Sequence, residues 1–164
     1  MTHKKLTVFA LAALLIMAMS TFTVVKVFAC TQGCTPGFWK NHTDQWYIYS
    51  PNQTVGSVFT MWPWHSDYDF LKGLTLMEAL QKKGSGAWLA PGIKYKPHQK
   101  AARILLRQAV AALLNAAHPS IDYYTPEEVI NYTDTRLHYT NATSIEEQKN
   151  EFRRYNELGS PICD

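Results

Sequence analysis

Two hydrophobic regimes divide this chain. Residues 6–25 are apolar almost without a break and show no period, whereas beyond residue 70 apolar positions recur at the three-and-four spacing of helices, each run bounded by capping residues. Thr75 and Glu78 form a capping box ahead of a helix predicted over 76–83, with Gly84 as its stop. Pro97 suits the first turn of a long helix that runs to Ala117 and is halted by Pro119. Its apolar residues surround most of the axis and leave Arg103, Arg107 and Gln108 on a narrow polar strip, which predicts the buried central helix. Thr125, Pro126 and Glu128 supply an N-cap, a first-turn proline and a capping glutamate for a helix to about His138. Ser144 with Glu147 repeats the device for 145–158, with Gly159 as the stop. Over 31–70, Thr43 and Thr54 suit caps of short helices, but glycine, proline and aromatic residues dominate and loops fit equally well. The pattern predicts a mainly α, single compact helical domain with an irregular, aromatic-rich N-terminal third.

The apolar run reads as an export signal: His3, Lys4 and Lys5 precede it, and Val27, Phe28 and Ala29 lead to a cut before Cys30. Uncleaved, a run of roughly 20 residues is long enough to span a bilayer and would still leave the rest outside. The expected organisation is therefore 1–29 signal peptide or membrane anchor, then 30–164 as one exported domain, secreted or anchored at the cell surface. Lys4, Lys5 and Lys26 are three of the sixteen basic residues, and all thirteen acidic ones lie after Cys30, so the mature chain is formally neutral. The excess of positive charge belongs to targeting and gives no support to nucleic-acid binding. What remains is an asymmetry, with Lys82, Lys83, Lys94, Lys96, Lys100, Arg103 and Arg107 in an acid-free stretch and an acid-rich one following from Asp122 to Glu157. A solvated face explains such a run, with a docking surface as the rival.

Export makes the odd cysteine count matter, because that compartment favours paired thiols. Cys30 is the odd one by position: at the signal boundary it loosely resembles a lipid-attachment cysteine, and lipidation there would leave Cys34 and Cys163 to pair. That bridge would close a loop of about 130 residues, worth roughly 4 to 5 kcal/mol by chain entropy. A tiny Cys30 to Cys34 loop and a Cys30 cross-link between molecules are the open alternatives. Cys30 and Cys34 lack the further Cys or His partners of a structural zinc site.

The stretches CTPGFWKNH, TVGSVF, LTLMEAL, RQAVAALLNAAHP and YYTPEEVI, with a closing cysteine, follow one another in an order that resembles a group of small exported prokaryotic domains with a CTPGYWKNH signature. The resemblance covers nearly all of the mature chain, and its specific parts are the first motif and the alanine-rich helix. Phe38 stands where tyrosine is common in the group, and the lysine-rich segment from Lys82 to Lys100 replaces a compact glycine-rich stretch. The resemblance implies export, one compact domain and a structural role for Cys34, and it implies no catalytic residue.

Candidate chemistry concentrates in the irregular third. Trp39, Lys40, His42 and Trp46 read first as a packed corner, with Pro36 and Gly37 turning the chain and Phe38, Trp39 and Trp46 filling against the central helix. Acid/base work by Lys40 and His42 is the rival, though spacing fixes no carboxylate, serine or cysteine beside them. Trp62 and Trp64 belong to an aromatic concentration that serves either as core or as a platform for sugar. His65, Asp67 and Asp69 are weak candidates for a calcium or transition-metal ion, with too few ligands for a motif. His98, His118 and His138 read as helix-end or surface residues.

Of seven asparagines, Asn41, Asn52, Asn131 and Asn141 are each followed two places on by threonine, although Ser and Thr together account for only 23 of 164 residues. These are acceptor patterns for N-linked glycans on an exported surface, with shared turn and cap preferences as the alternative. The sequence contains no phosphate loop, nucleophile elbow or cofactor motif. The expectation is an exported, non-enzymatic surface or extracellular domain that self-associates or binds a surface polysaccharide. An extracellular hydrolase or metal-dependent enzyme centred on the WKNH segment is the alternative.

Overall fold

The computed structural model describes residues 32–81 and 94–163, so the leader 1–29, Cys30, Lys82, Lys83, Gly84 and Trp88 lie outside the described residues. The helices in chain order are α1 (Pro36–Asn41), α2 (Val55–Val58), α3 (Asp69–Lys72), α4 (Leu76–Gln81), α5 (Pro97–Ala117), α6 (Pro126–Leu137) and α7 (Ala142–Asn156). Two isolated bridges, Gly33 with Gly159 and Thr54 with Thr75, are the only extended pairings among the described residues.

The long alanine-rich helix is the centre. Ala102, Leu105, Leu106, Ala109 and Leu113 of α5 are fully buried, and the small side chains let neighbours approach closely, α7 along most of its length and α6 next. Phe152 and Ile145 of α7 and Val129 and Leu137 of α6 complete this side of the core, while α1 and α4 cover another. Arg103 and Gln108 of the narrow polar strip are themselves buried, and Gln108 accepts hydrogen bonds from α7. Arg107 is half-buried and donates to the Leu80 carbonyl of α4.

Punctuation accounts for most helix starts. Thr75 and Glu78 exchange bonds of 2.8 and 3.1 Å ahead of α4, and Thr125 and Glu128 exchange bonds of 2.8 and 3.2 Å ahead of α6. The start of α7 differs from the capping-box expectation. Its N-cap is Asn141, whose Oδ1 accepts the Ser144 N–H at 3.2 Å, so Ser144 falls inside the first turn. Asparagine ranks with serine as an N-cap, and the earlier start adds three residues to the helix.

In the N-terminal third, Pro36 and Gly37 do not make a turn but open α1, with Thr35 as its cap and Pro36 in the first turn. Thr43 begins a 3₁₀ turn (Thr43–Gln45) rather than capping it, and Thr54 precedes α2 without a side-chain cap bond. α2 is instead held by the backbone: Val55 N–H donates to the Leu74 carbonyl at 2.7 Å, and Leu76 N–H to the Gln53 carbonyl at 2.9 Å.

The first and last described segments meet at one seam. Cys34 and Cys163 form a disulfide, 129 positions apart in sequence with Cα atoms 5.6 Å apart. Gly33 and Gly159 exchange backbone bonds of 3.2 and 3.1 Å beside it. Gly159 has φ of +83°, a conformation glycine adopts without strain, and a Cβ on Gly33 would run into the Tyr155 carbonyl. The disulfide is compatible with an extracytoplasmic location. Among the described residues no helix is long and apolar enough to cross a membrane.

Candidate functional site

Behind the disulfide, the buried polar groups converge on Asn115 of α5. Its Oδ1 accepts the Cys34 N–H at 2.7 Å and the Trp39 Nε1–H at 3.0 Å, while its Nδ2 donates to the Cys34 carbonyl and to Asn156 Oδ1. Asn156 of α7 then donates to the Gln108 carbonyl and side chain, at 3.0 Å each, and accepts from the Tyr123 hydroxyl. Both asparagines are fully buried with their partners supplied, as burial of an amide requires.

The WKNH segment feeds this network. Trp39 is fully buried, and Trp46 Nε1–H donates to the Trp39 carbonyl at 3.0 Å. His42 Nδ1 bonds the Phe38 carbonyl at 2.9 Å, which requires the proton on Nδ1, and its ring stacks on Phe38 at 4.2 Å. Lys40, half-buried, stands in the last turn of α1, where a cation complements the helix dipole. Lys40 and His42 therefore end a short helix.

A second site forms where the segment 61–68 docks on the C-terminal half of α6. Asp134, fully buried, accepts the Met61 and Trp62 N–H groups on Oδ2, at 2.7 and 3.3 Å, and Trp64 Nε1–H on Oδ1 at 2.7 Å. Burial pushes its carboxyl up from the ordinary range, opposed by these three donors. Asn131 and His138, three and four residues either side on the same helix face, hold the rest. Trp62 Nε1–H donates to Asn131 Oδ1 at 3.0 Å, and His138 Nδ1 donates to the Pro63 carbonyl at 2.7 Å. The His65 N–H and the Tyr68 hydroxyl add bonds to the Leu137 and Tyr139 carbonyls.

The two tryptophans of this segment separate. Trp64 is buried, but Trp62 is 52% exposed although its indole nitrogen is tied down, and Tyr139 beside it is 62% exposed. Between them lies an open groove of about 490 Å³ lined by Trp62, Pro63, Asn131, Thr135, His138 and Tyr139.

Asp67 faces the start of α5: Oδ2 lies 2.8 Å from His98 Nε2 and 3.0 Å from Lys96 Nζ. Lys96, then His98, hold its carboxyl below the ordinary range. Asp69 pairs with Lys72 at 2.7 Å, and His65 Nδ1 accepts the Asp67 N–H. Burial, with the Asp67 charge adding to it, pushes the neighbouring Tyr68 hydroxyl up to about 12. Among the described residues no group of three or more His, Cys, Asp or Glu is arranged to hold a metal ion.

Asn41, Asn52 and Asn141 are exposed. Asn131 is half-buried against Trp62, and the threonine of its pattern, Thr133, is fully buried and donates to the Val129 carbonyl. Sequence reasoning missed Asp134 and Asn115. The signal for Asp134 is its position in the apolar stripe of α6, in register with Ile130, Thr133 and Leu137; for Asn115 it is an amide in a helix apolar on nearly every face. Searches of family models, of curated proteins and of solved structures found no match to this chain.

Proposed function

We propose that this protein is an exported, non-enzymatic domain that binds a surface or extracellular polysaccharide in the groove between Trp62 and α6. One observation carries the reading: Trp62 is 52% exposed while its Nε1–H is fixed on Asn131. A ring held at its polar edge with open surface is a low-entropy stacking platform for a sugar. The groove adds what sugar hydroxyls need, since Asn131 keeps its amide donors, Thr135 brings a hydroxyl, and His138, bonded through Nδ1 to Pro63, brings its second ring nitrogen. Tyr139 supplies a second exposed ring. The leader, the disulfide and the exposed glycan acceptor patterns at Asn41, Asn52 and Asn141 support an extracellular setting, as does the resemblance carried by CTPGFWKNH. Lys40 and His42 close α1 and lend no support to the enzymatic alternative.

Affinity electrophoresis through gels containing soluble β-glucan, glycol chitin or mannan, paired with melting curves, tests the reading. Trp62→Ala is expected to weaken retention about 2- to 12-fold, the worth of one stacked ring, with Tm unchanged. Trp64→Ala is expected to lower Tm sharply, since it removes a buried ring and takes the donor from Asp134 Oδ1. No retention of the wild type in any gel, or equal loss of retention and Tm in Trp62→Ala, would overturn it.

A further inference from the structure

Away from the groove, and sharing no lining residue with it, an open pocket of about 180 Å³ is lined by Asp122, Tyr123, Tyr124, Glu128 and Tyr155. Three tyrosine rings form its apolar walls and stand nearly perpendicular to one another. Tyr123 meets Tyr124 at 88° with centroids 5.2 Å apart, Tyr124 meets Tyr155 at 80° and 5.2 Å, and Tyr123 meets Tyr155 at 82° and 6.2 Å. Two walls come from the loop before α6 and one from α7, so the corner is fixed by the packing of those helices.

The Tyr123 and Tyr124 phenol oxygens are already engaged. Tyr123 donates to Asn156 Oδ1 at 2.9 Å and Tyr124 to Glu151 Oε1 at 2.8 Å, which leaves ring surface rather than oxygen for a ligand. Burial pushes both hydroxyls well above their ordinary range, so both rings stay neutral. At the rim stand two carboxylates, Asp122 and Glu128, of which Glu128 spends one oxygen on the cap of α6.

Three aromatic rings and two carboxylates around one small pocket suit a soft organic cation. A hard metal ion would want six to eight oxygens, and a drug-sized ligand a cavity of roughly 300 Å³ or more. The chain uses the same attraction next door: the Arg154 guanidinium carbon sits 4.5 Å from the Tyr155 ring centroid, although Arg154 does not line the pocket.

We propose that the corner formed by Tyr123, Tyr124 and Tyr155, with Asp122 and Glu128 at its rim, binds a methylated ammonium group. That head group occurs on small soluble molecules and on choline lipids. Titration calorimetry with tetramethylammonium chloride, at ionic strength held constant with sodium chloride, reads the head group alone. Saturable binding is expected, while 3,3-dimethyl-1-butanol, the uncharged isostere of choline, fails to compete.

The double variant Asp122→Asn with Glu128→Gln keeps both side-chain shapes and the helix cap, and is expected to bind at least about fivefold more weakly. Tyr155→Ala, checked for an unchanged melting curve, is expected to lose a similar factor, and Tyr155→Phe is expected to keep it. Co-sedimentation with phosphatidylcholine vesicles assigns the group to a lipid, and its absence alongside tetramethylammonium binding assigns it to a soluble molecule. No saturable binding, equal binding of the uncharged isostere, or an unaffected charge variant would overturn the proposal.

Discussion

Asn115 shows how much one buried amide can organise. It answers both backbone groups of Cys34, the indole of Trp39 and the amide of Asn156, so the N-terminal segment, α5 and α7 share one polar contact. Asn115→Ala would strand a backbone N–H, an indole N–H and the Cys34 carbonyl in the core, while Asn156 Oδ1 keeps the Tyr123 hydroxyl. Each unsatisfied group costs about 1–3 kcal/mol before relaxation, so a loss of about 3 kcal/mol or more in urea denaturation is expected. A loss below about 1 kcal/mol would mean that water or a rearrangement replaces the network. Nothing local in the sequence identifies this role, because the partners of Asn115 lie 81, 76 and 41 positions away. Asp134 is the same case, with Trp64 70 positions off. A polar residue in an apolar stripe signals burial, but its partner is known only once the chain is folded.

The elements were more legible than their contacts. Capping boxes at Thr75 and Thr125 mark α4 and α6, and Pro97 marks α5, because caps and first-turn prolines act through bonds within three or four residues. α7 defeats the same logic only because two acceptable caps lie three residues apart. The geometry at Asn141 gives a direct comparison: Asn141→Ala is expected to cost about 1 kcal/mol and Ser144→Ala less than about 0.5 kcal/mol in denaturant unfolding. The reverse ranking would return the helix start to Ser144. α1 was less legible, since Pro36 and Gly37 serve a turn as readily as a first helical turn; the Phe38 N–H to Thr35 Oγ1 bond of 3.2 Å decides for the helix. The segment 61–65 has no period at all, because the Met61, Trp62 and His65 N–H groups are satisfied by Asp134 and by the Leu137 carbonyl at the end of α6 rather than by their own neighbours.

At the scale of the whole molecule, the chain is an alanine-rich helix wrapped by shorter ones and fastened where its first and last described segments meet. The fastening combines the disulfide, the paired backbones of Gly33 and Gly159, and the Asn115–Asn156 network. Closing a loop of this length stabilises the fold by about 5 kcal/mol in the chain-entropy model, a large fraction of the 5–15 kcal/mol typical of a domain. An oxidising compartment is what makes that contribution available. Both proposed binding surfaces depend on the arrangement, the groove through α6 and the tyrosine corner through α6 and α7. The central claim is therefore that the native protein is exported and carries this one bridge. Intact mass of protein recovered from the native host, before and after reduction, with thiol labelling and peptide mapping, tests it most directly. The account predicts a chain that begins at Cys30 or keeps residues 1–29 as an anchor, with any lipid or glycan as added mass, a Cys34–Cys163 peptide pair before reduction, and labelling of both cysteines only afterwards. Free thiols at Cys34 and Cys163 in a chain recovered from the cytoplasm would contradict it.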